Sequence, residues 1–144
     1  MEPLPHTYKV KARVAGEDLV DLTGEGLEPL KSGPPPQFGG PGGLWSPEEL
    51  FVAAAADCFL LTFRSVAKHS SLDWKQIECE TAGTLEKTEG GLQFTRLVSR
   101  VRLVVPEGTD EKKASRVLEM SEKNCLVTRS LKCELALETE ILTE

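Results

Sequence analysis

Histidine is scarce in this chain, and its cysteines do not show a metal-binding spacing. Of the 144 residues only two are histidines, His6 and His69, and none of the four cysteines belongs to a Cys-x-x-Cys pair. Zinc and related metals are bound by clustered cysteine and histidine ligands. We therefore expect no metal site, and we expect no other cofactor.

Long apolar runs are also lacking. The longest candidate, residues 50–63, is interrupted by Asp57 and is shorter than the roughly 20 apolar residues of a membrane span. The N-terminus has no basic segment followed by an apolar core, so it does not resemble a signal peptide. We therefore expect no membrane segment and a cytoplasmic protein, in which free thiols persist and structural disulfides are rare.

Positive charge is in the minority. The 17 Lys and Arg residues against 23 Asp and Glu residues give a formal net charge of −6. Proteins that bind nucleic acid or anionic membranes usually present a basic surface to the phosphates. The charge balance therefore argues against both kinds of partner.

What the chain does have is the composition of a folded protein, with 40% hydrophobic and 28% charged residues. A chain of this length fits one domain, which we assign to residues 1–144. A Pro- and Gly-rich stretch, residues 32–43, is predicted to be a loop. Hydrophobic periodicity predicts the order β-β-β-α-β-β-α-β, which is an α+β fold.

Alternating apolar residues predict the strands. Residues 8–14 place Tyr8, Val10 and Val14 on one face, which indicates a half-buried strand. A Glu-Gly-Gly turn at 89–91 is predicted to join two strands whose Glu and Arg rows could pair. The predicted strands cover residues 8–14, 19–22, 27–30, 75–86, 94–105 and 132–142.

The clearest helix start in the chain lies at Ser46. Ser46 and Glu49 form a capping-box pattern, and Pro47 suits the first helical position. The predicted helix runs from Pro47 to about His69 and is apolar nearly all round over its first four turns, so protein must surround it. Since a second copy could do this, we predict a homodimer that buries a long central helix. A second helix is predicted from near Thr109 to Cys125.

The four cysteines differ in their predicted settings. Cys79 and Cys133 fall on apolar faces of predicted strands, which favours a plain packing role. Cys58 lies in the third turn of the apolar helix, and Cys125 closes the apolar stripe of the second helix. For these two, packing and reactivity both stay open. Asp57, beside Cys58, must be paired or reached by solvent.

Three segments of the chain resemble a known family. Residues 39–59, GGPGGLWSPEELFVAAAADCF, resemble the OsmC/Ohr signature, in which a Gly-rich loop leads into Ser-Pro-Glu-x-Leu, an Ala-rich turn and Cys-Phe. Residues 124–128, NCLVT, stand where the family has Cys-Pro-x-Ser, and residues 130–138 resemble its closing strand. The family comprises osmotically inducible protein C-like and organic hydroperoxide resistance proteins.

The resemblance implies an OsmC-like, intertwined homodimer with two sites at its interface. It also implies an antioxidant thiol peroxidase, active in the oxidative stress response, that reduces organic hydroperoxides to alcohols. In that mechanism Cys58 is the peroxidatic cysteine, Cys125 the resolving cysteine, and Glu48 the glutamate of the motif. A sulfenic acid on Cys58 condenses with Cys125 to a disulfide, which a dithiol or lipoyl-type reductant opens.

The resemblance also implies an arginine, held by the motif's glutamate, over the reactive sulfur. No arginine occurs between Arg13 and Arg64 in this chain. Arg13 is therefore the tentative cationic partner, and Gln37 and Phe38 are tentative substrate-binding residues.

These departures keep two further hypotheses open. In the first, the protein is an OsmC-like redox sensor or ligand-binding protein whose Cys58 turns over slowly or not at all. In the second, it is a purely structural or partner-binding dimer with all four cysteines buried.

Overall fold

Two three-stranded sheets and three α-helices form the structure, which is a computed structural model that describes all residues 1–144. This is the predicted α+β class. Contacts divide the chain into two compact units, Met1–Leu50 and Phe51–Glu144, and the assignment of one domain stays a prediction. In chain order the elements are β1 (Lys11–Arg13), β2 (Val20–Thr23), β3 (Leu30–Ser32), a 3-10 helix (Pro36–Phe38), α1 (Pro47–His69), β4 (Gln76–Thr88), β5 (Gly91–Val105), α2 (Glu111–Asn124), α3 (Leu126–Arg129) and β6 (Glu134–Thr143).

The sheet of the N-terminal unit is short and poorly covered. Its antiparallel strands follow the order β1-β2-β3. The expected half-buried strand over 8–14 is wrong on two counts: β1 has three residues, and Tyr8, Val10 and Val14 are 85%, 69% and 53% exposed. The strand expected at 27–30 begins only at Leu30, because the Leu27 N–H bonds to the Gly24 carbonyl in a turn.

The start of α1 follows the predicted capping chemistry. The Glu49 N–H donates to Ser46 Oγ at 3.2 Å, and the Ser46 N–H donates to Glu49 Oε2 at 3.0 Å. These reciprocal bonds satisfy donors that a helix end leaves open. The helix then runs without a break to His69, as predicted.

The sheet of the second unit has β5 at its centre. β4 and β5 form an antiparallel hairpin, and β6 lies parallel to β5 on the other side. A parallel neighbour requires a crossover, which α2 provides. The Glu and Arg rows do face each other, with Glu80 opposite Arg100, but Arg100 forms its ion pair with Glu138 of β6, at 2.7 Å. This pair is exposed, so it adds little stability.

The core lies between the inner face of this sheet and the two long helices. β5 contributes Val101, Leu103 and Val105, and the edge of the core includes the ring of Trp74 against Phe63. The helical side chains of this core are Phe59, Phe63 and Ala67 of α1 and Ala114, Val117 and Leu118 of α2.

Most of α1 is not buried in the single chain, and its burial by a second copy stays a prediction. Only Ala55, Phe59, Phe63 and Ala67 are buried, and Leu61 is 54% exposed. By length and composition α1 could cross a membrane, despite its interruption by Asp57, but a soluble core helix passes the same test. Since α1 contributes to the core, we interpret it as a core helix with one uncovered face.

Gly83 of β4 is expected to tolerate no side chain. A Cβ atom there would lie 2.9 Å from Val52 Cγ2 and 3.0 Å from Leu97 Cδ2 and from Phe94 Cε1. We predict that Gly83→Ala lowers the free energy of unfolding by about 1–3 kcal/mol, as overpacking does. Urea denaturation at one fixed protein concentration measures this change.

Gly90→Ala is the matched control, because a Cβ atom at Gly90 would meet nothing closer than 3.9 Å. Equal stabilities of the two variants would contradict the packing described for β4.

Candidate functional site

A break between two helices positions Cys125. This residue ends α2 and begins α3, with an extended backbone (φ −68°, ψ 111°) that neither helix can continue. The turn buries the Cys125 side chain, which is 1% exposed. It also leaves the N–H groups of Leu126 and Val127 at the start of α3, where a helix provides no internal acceptor.

Cys58 of α1 lies against this turn. Both cysteines are free thiols, and each influences the pKa of the other. The structure thus brings together the two cysteines that the resemblance paired. In the single chain Cys58 is only partly buried, and the hypothesis of a dimer that buries all four cysteines stays a prediction.

The surroundings of Cys58 lower the pKa of its thiol. Partial burial raises that pKa, but hydrogen bonds from the Val127 N–H, the Cys125 thiol and the Leu126 N–H outweigh it. Donors that point at a sulfur stabilise its anion. The Thr62 hydroxyl contributes little, because it gives its proton to the Cys58 carbonyl at 2.7 Å and lies 4.0 Å from the sulfur.

Cys125 has the opposite tendency. Burial raises the pKa of the Cys125 thiol, and its interaction with Cys58 raises it further, against the lowering effect of Thr128. Of the pair, Cys58 is therefore the sulfur that ionises first. Cys125 keeps its proton and remains a hydrogen-bond donor.

An open groove of about 680 Å³ gives access to Cys58. Most of its wall is apolar, which suits an organic molecule. The residues that line it with Cys58 are Ala54, Asp57, Leu61, Thr62, Ser65, Val66, Asn124, Leu126 and Val127.

The other predicted site residues lie in the N-terminal unit. Arg13 is exposed in β1, and Gln37 and Phe38 are exposed in the 3-10 helix. Glu48 lies in the first turn of α1, with Oε2 buried and without a hydrogen-bond partner. The roles of these four residues stay predictions.

Cys79 packs against the core, as predicted. Its sulfur lies 3.6 Å from Thr81 Oγ1, and burial raises the pKa of its thiol. Cys133 is half-buried just before β6 rather than within that strand.

Asp57 is the charged residue of the groove. It is exposed and forms neither an ion pair nor a side-chain hydrogen bond, so solvent satisfies its carboxylate. It is not among the groups that shift the pKa of Cys58.

The N–H groups of Leu126 and Val127 are the functional groups that sequence reasoning missed. Backbone donors carry no side-chain signal, and α3 is too short for a periodic pattern. The one available indication was a cysteine at the end of the predicted second helix.

A family model described as OsmC-like protein matches residues 40–140, which is well over half of the chain. The chain belongs to the OsmC-like family. The OsmC-like segment thus includes Glu48, Cys58 and Cys125.

Curated relatives are distant. This OsmC-like chain is 24% identical to the uncharacterized protein YmaD of Bacillus subtilis over 109 residues, 74% of this chain and 73% of YmaD. It is 26% identical to peroxiredoxin OsmC of Escherichia coli over 96 residues, 67% of this chain and 66% of that protein.

Solved structures share the OsmC-like fold. An OsmC-like protein from Mycoplasma pneumoniae has a TM-score of 0.83 at 12% identity, covering 96% of this chain and 99% of that one. The organic hydroperoxide resistance protein OsmC of Legionella pneumophila has a TM-score of 0.76 at 22% identity, with 97% and 99% covered.

Leu126→Pro tests the backbone donors at Cys58. Proline removes one N–H, is tolerated at the first position of a helix, and suits the extended backbone of Cys125 before it. We predict a higher Cys58 pKa in this variant, so that its alkylation rate rises only at higher pH than in the unchanged protein. The pH profile of iodoacetamide alkylation at Cys58, read by mass spectrometry, measures the shift.

Leu126→Ala is the control, since it removes the same side chain and keeps the N–H. A profile shift of equal size in both variants would mean that the side chain, not the N–H, affects the thiol.

Proposed function

We propose that this OsmC-like protein is a two-cysteine thiol peroxidase that reduces organic hydroperoxides to alcohols. One observation carries the proposal: a thiol of lowered pKa lines an open apolar groove next to a second, buried thiol. The relative named peroxiredoxin OsmC supports the same chemistry.

In the first step the Cys58 thiolate attacks the outer oxygen of the hydroperoxide. A sulfur–oxygen bond forms and the oxygen–oxygen bond breaks, so sulfur is oxidised and the peroxide is reduced. The alkoxide that leaves takes a proton from solvent in the groove and departs as the alcohol. Cys58 is now a sulfenic acid.

In the second step Cys125 resolves the sulfenic acid. Its sulfur attacks the Cys58 sulfur, and the sulfenic oxygen leaves as water with the thiol proton. The two thiols lie close enough to influence each other's pKa, so little movement is needed. A dithiol or lipoyl-type reductant then exchanges with the disulfide, is itself oxidised to a cyclic disulfide, and returns both thiols.

Backbone dipoles take part of the role that the family gives to an arginine. The N–H groups of Val127 and Leu126 lower the pKa of the Cys58 thiol and belong to the first residues of α3. Fixed donors stabilise an anion without reorganisation when charge develops. They act in every protonation state of the surrounding side chains.

The groove favours an apolar hydroperoxide over hydrogen peroxide. Leu61, Leu126 and Val127 offer apolar surface next to the sulfur. Burying such surface contributes about 25 cal/mol per Å² to the free energy of binding. A hydroperoxide with a hydrocarbon tail gains this contribution, whereas hydrogen peroxide does not.

We also propose a homodimer in the cytoplasm. Apolar side chains are exposed on both units, namely Leu61 on α1 and Tyr8 and Val10 near β1. A small three-stranded sheet needs a covered face to be stable. The buried, unpaired Oε2 atom of Glu48 also requires a donor, which a second copy could provide. Free thiols at the site suit a reducing compartment.

A second function has an observation in its favour. No lysine, arginine or histidine lines the groove of the single chain. Without a cation to polarise the peroxide, turnover is slow, and Cys58 would serve as a redox sensor or ligand-binding residue.

Cysteine variants separate these functions. We predict that Cys58→Ser abolishes consumption of cumene hydroperoxide in the presence of excess dithiol. Without added dithiol, Cys125→Ser should consume about one equivalent of the peroxide and accumulate a sulfenic acid that dimedone traps, because no second thiol is then present to condense with it. Peroxide assays and mass spectrometry read the two outcomes.

Cys133→Ser is the control and should keep the full rate. The sensor would be favoured over the peroxidase if the unaltered protein consumed the hydroperoxide no faster than a free thiol does, while dimedone still trapped a sulfenic acid at Cys58.

Leu61→Glu tests the dimer. A charge in the middle of the exposed α1 face should weaken association at least about tenfold, as loss of a central apolar contact does. Sedimentation velocity over a range of concentrations measures the dissociation constant.

Leu92→Glu is the matched control, because Leu92 is 62% exposed at the tip of the β4–β5 hairpin. A monomeric unaltered protein, or equal weakening by both variants, would contradict the interface.

A further inference from the structure

A small cavity lies between the turn at Cys125 and the sheet of the second unit. Its volume is about 20 Å³, and about 10–15 Å³ is enough to hold one water. Most of its lining is apolar, but Ser99 of β5, Glu122 of α2 and Thr128 of α3 also line it. A water inside a protein needs roughly two to four polar partners. The cavity therefore has the size and the polar residues of a water site.

This cavity belongs to one protomer, whichever surfaces a second copy covers. On the side of α1 it is lined by Ala55 and Phe59, which are among the buried residues of that helix. The exposed Leu61 is not part of the lining and lies on the face of α1 that a second copy would cover. A dimer that covers Leu61 therefore leaves the cavity in place.

Thr128 connects the cavity to the buried thiol. It lines the cavity, and its hydroxyl donates to the Cys125 carbonyl at 3.3 Å. Burial raises the pKa of the Cys125 thiol, and Thr128 lowers it. Glu122 lies one turn before Cys125, and its carbonyl accepts from the Cys125 N–H at 3.3 Å. A hydroxyl residue and a carboxylate residue thus meet at the inner side of the resolving cysteine.

The resolving step requires Cys125 to lose its proton. A thiolate, and not a thiol, is the effective nucleophile. Because Cys125 is 1% exposed, bulk water does not take this proton directly. A positioned proton acceptor speeds a reaction of this kind by about 10²–10⁴-fold. A proton route on the inner side of Cys125 would supply such an acceptor.

We propose that Thr128 transfers the Cys125 proton to a water in this cavity, and that the Glu122 carboxylate accepts the proton from that water. Thr128 is then a positioning residue of the resolving step, and the inference rests on the proposed function. The Cys125 thiolate forms the bond to the Cys58 sulfur, and the sulfur–oxygen bond breaks. The departing oxygen takes up one proton and leaves as water, while Glu122 releases one proton to solvent, so protons balance.

Dithiodipyridine, a neutral aromatic disulfide, tests the attack by Cys125 without any peroxide. Cys58 attacks the reagent and becomes a mixed disulfide, which releases one thiopyridone. Cys125 then attacks the Cys58 sulfur, forms the intramolecular disulfide and releases a second thiopyridone. Mass spectrometry of quenched samples follows the loss of the mixed disulfide at Cys58.

We expect Thr128→Val, which keeps the shape and removes the hydroxyl, to slow this loss at least about tenfold. Thr128→Ser keeps the hydroxyl and should restore the rate. Ser130→Ala is the matched control, because Ser130 Oγ donates to the Leu126 carbonyl at 2.9 Å in the same turn but does not line the cavity. It should leave the rate unchanged.

Glu122→Gln tests the proton acceptor and should also slow the loss of the mixed disulfide about tenfold. Glu119→Gln is its control, because Glu119 is exposed on α2 and does not line the cavity. The first attack, by Cys58 on the reagent, should keep its rate in all of these variants.

An unchanged rate in Thr128→Val or in Glu122→Gln would overturn the proposal. An equal loss of rate in Ser130→Ala would also overturn it, because the hydroxyls would then only hold the shape of the turn. A mixed disulfide that persists in the unaltered protein, or a Cys58 that the reagent does not reach, would do the same. Because the test uses no peroxide, failure of the peroxidase assay alone would remove the proposed function and leave the proton route of Cys125 in place.

Discussion

The candidate site depends on the turn at Cys125, because groups of this turn lower the pKa of the Cys58 thiol. Partial burial works against the thiolate, and donors from Val127, Cys125 and Leu126 reverse that effect. The same turn buries Cys125 and holds its proton. The break between α2 and α3 thus places the buried Cys125 and two backbone N–H groups beside Cys58 of α1.

The rest of the second unit serves to hold α1 and this turn in place. Phe59 and Phe63 anchor α1 to the sheet immediately after Cys58, and Val117 and Leu118 anchor α2 before Cys125. Closely packed cores deform little, so the two sulfurs are kept in register by side chains that take no part in the reaction. The opposite face of α1 remains open, which gives the groove its access.

The sequence predicted those elements whose signals are local. The Ser46–Glu49 capping box predicted the first residue of α1 correctly. The alternation of apolar residues predicted the bounds of β4 and β5 to within three residues. The second strand was located to within one residue, but the first was predicted too long, because the short run around Val10 has no buried face to enforce its pattern. The proximity of Cys58 to Cys125 was implied by the family resemblance. The N–H donors could not be predicted, because no residue type in the sequence marks the break between α2 and α3.

The central claim is tested most directly by the pKa of Cys58 in the unaltered, reduced protein. The ultraviolet absorbance of the thiolate, titrated against pH and corrected with Cys58→Ser, isolates this one group. We predict a midpoint below the ordinary thiol value of about 8.5, because backbone and thiol donors stabilise the anion. A midpoint at or above that value would show that the effect of burial on the Cys58 pKa exceeds the effect of the donors. This result would contradict the account of the site.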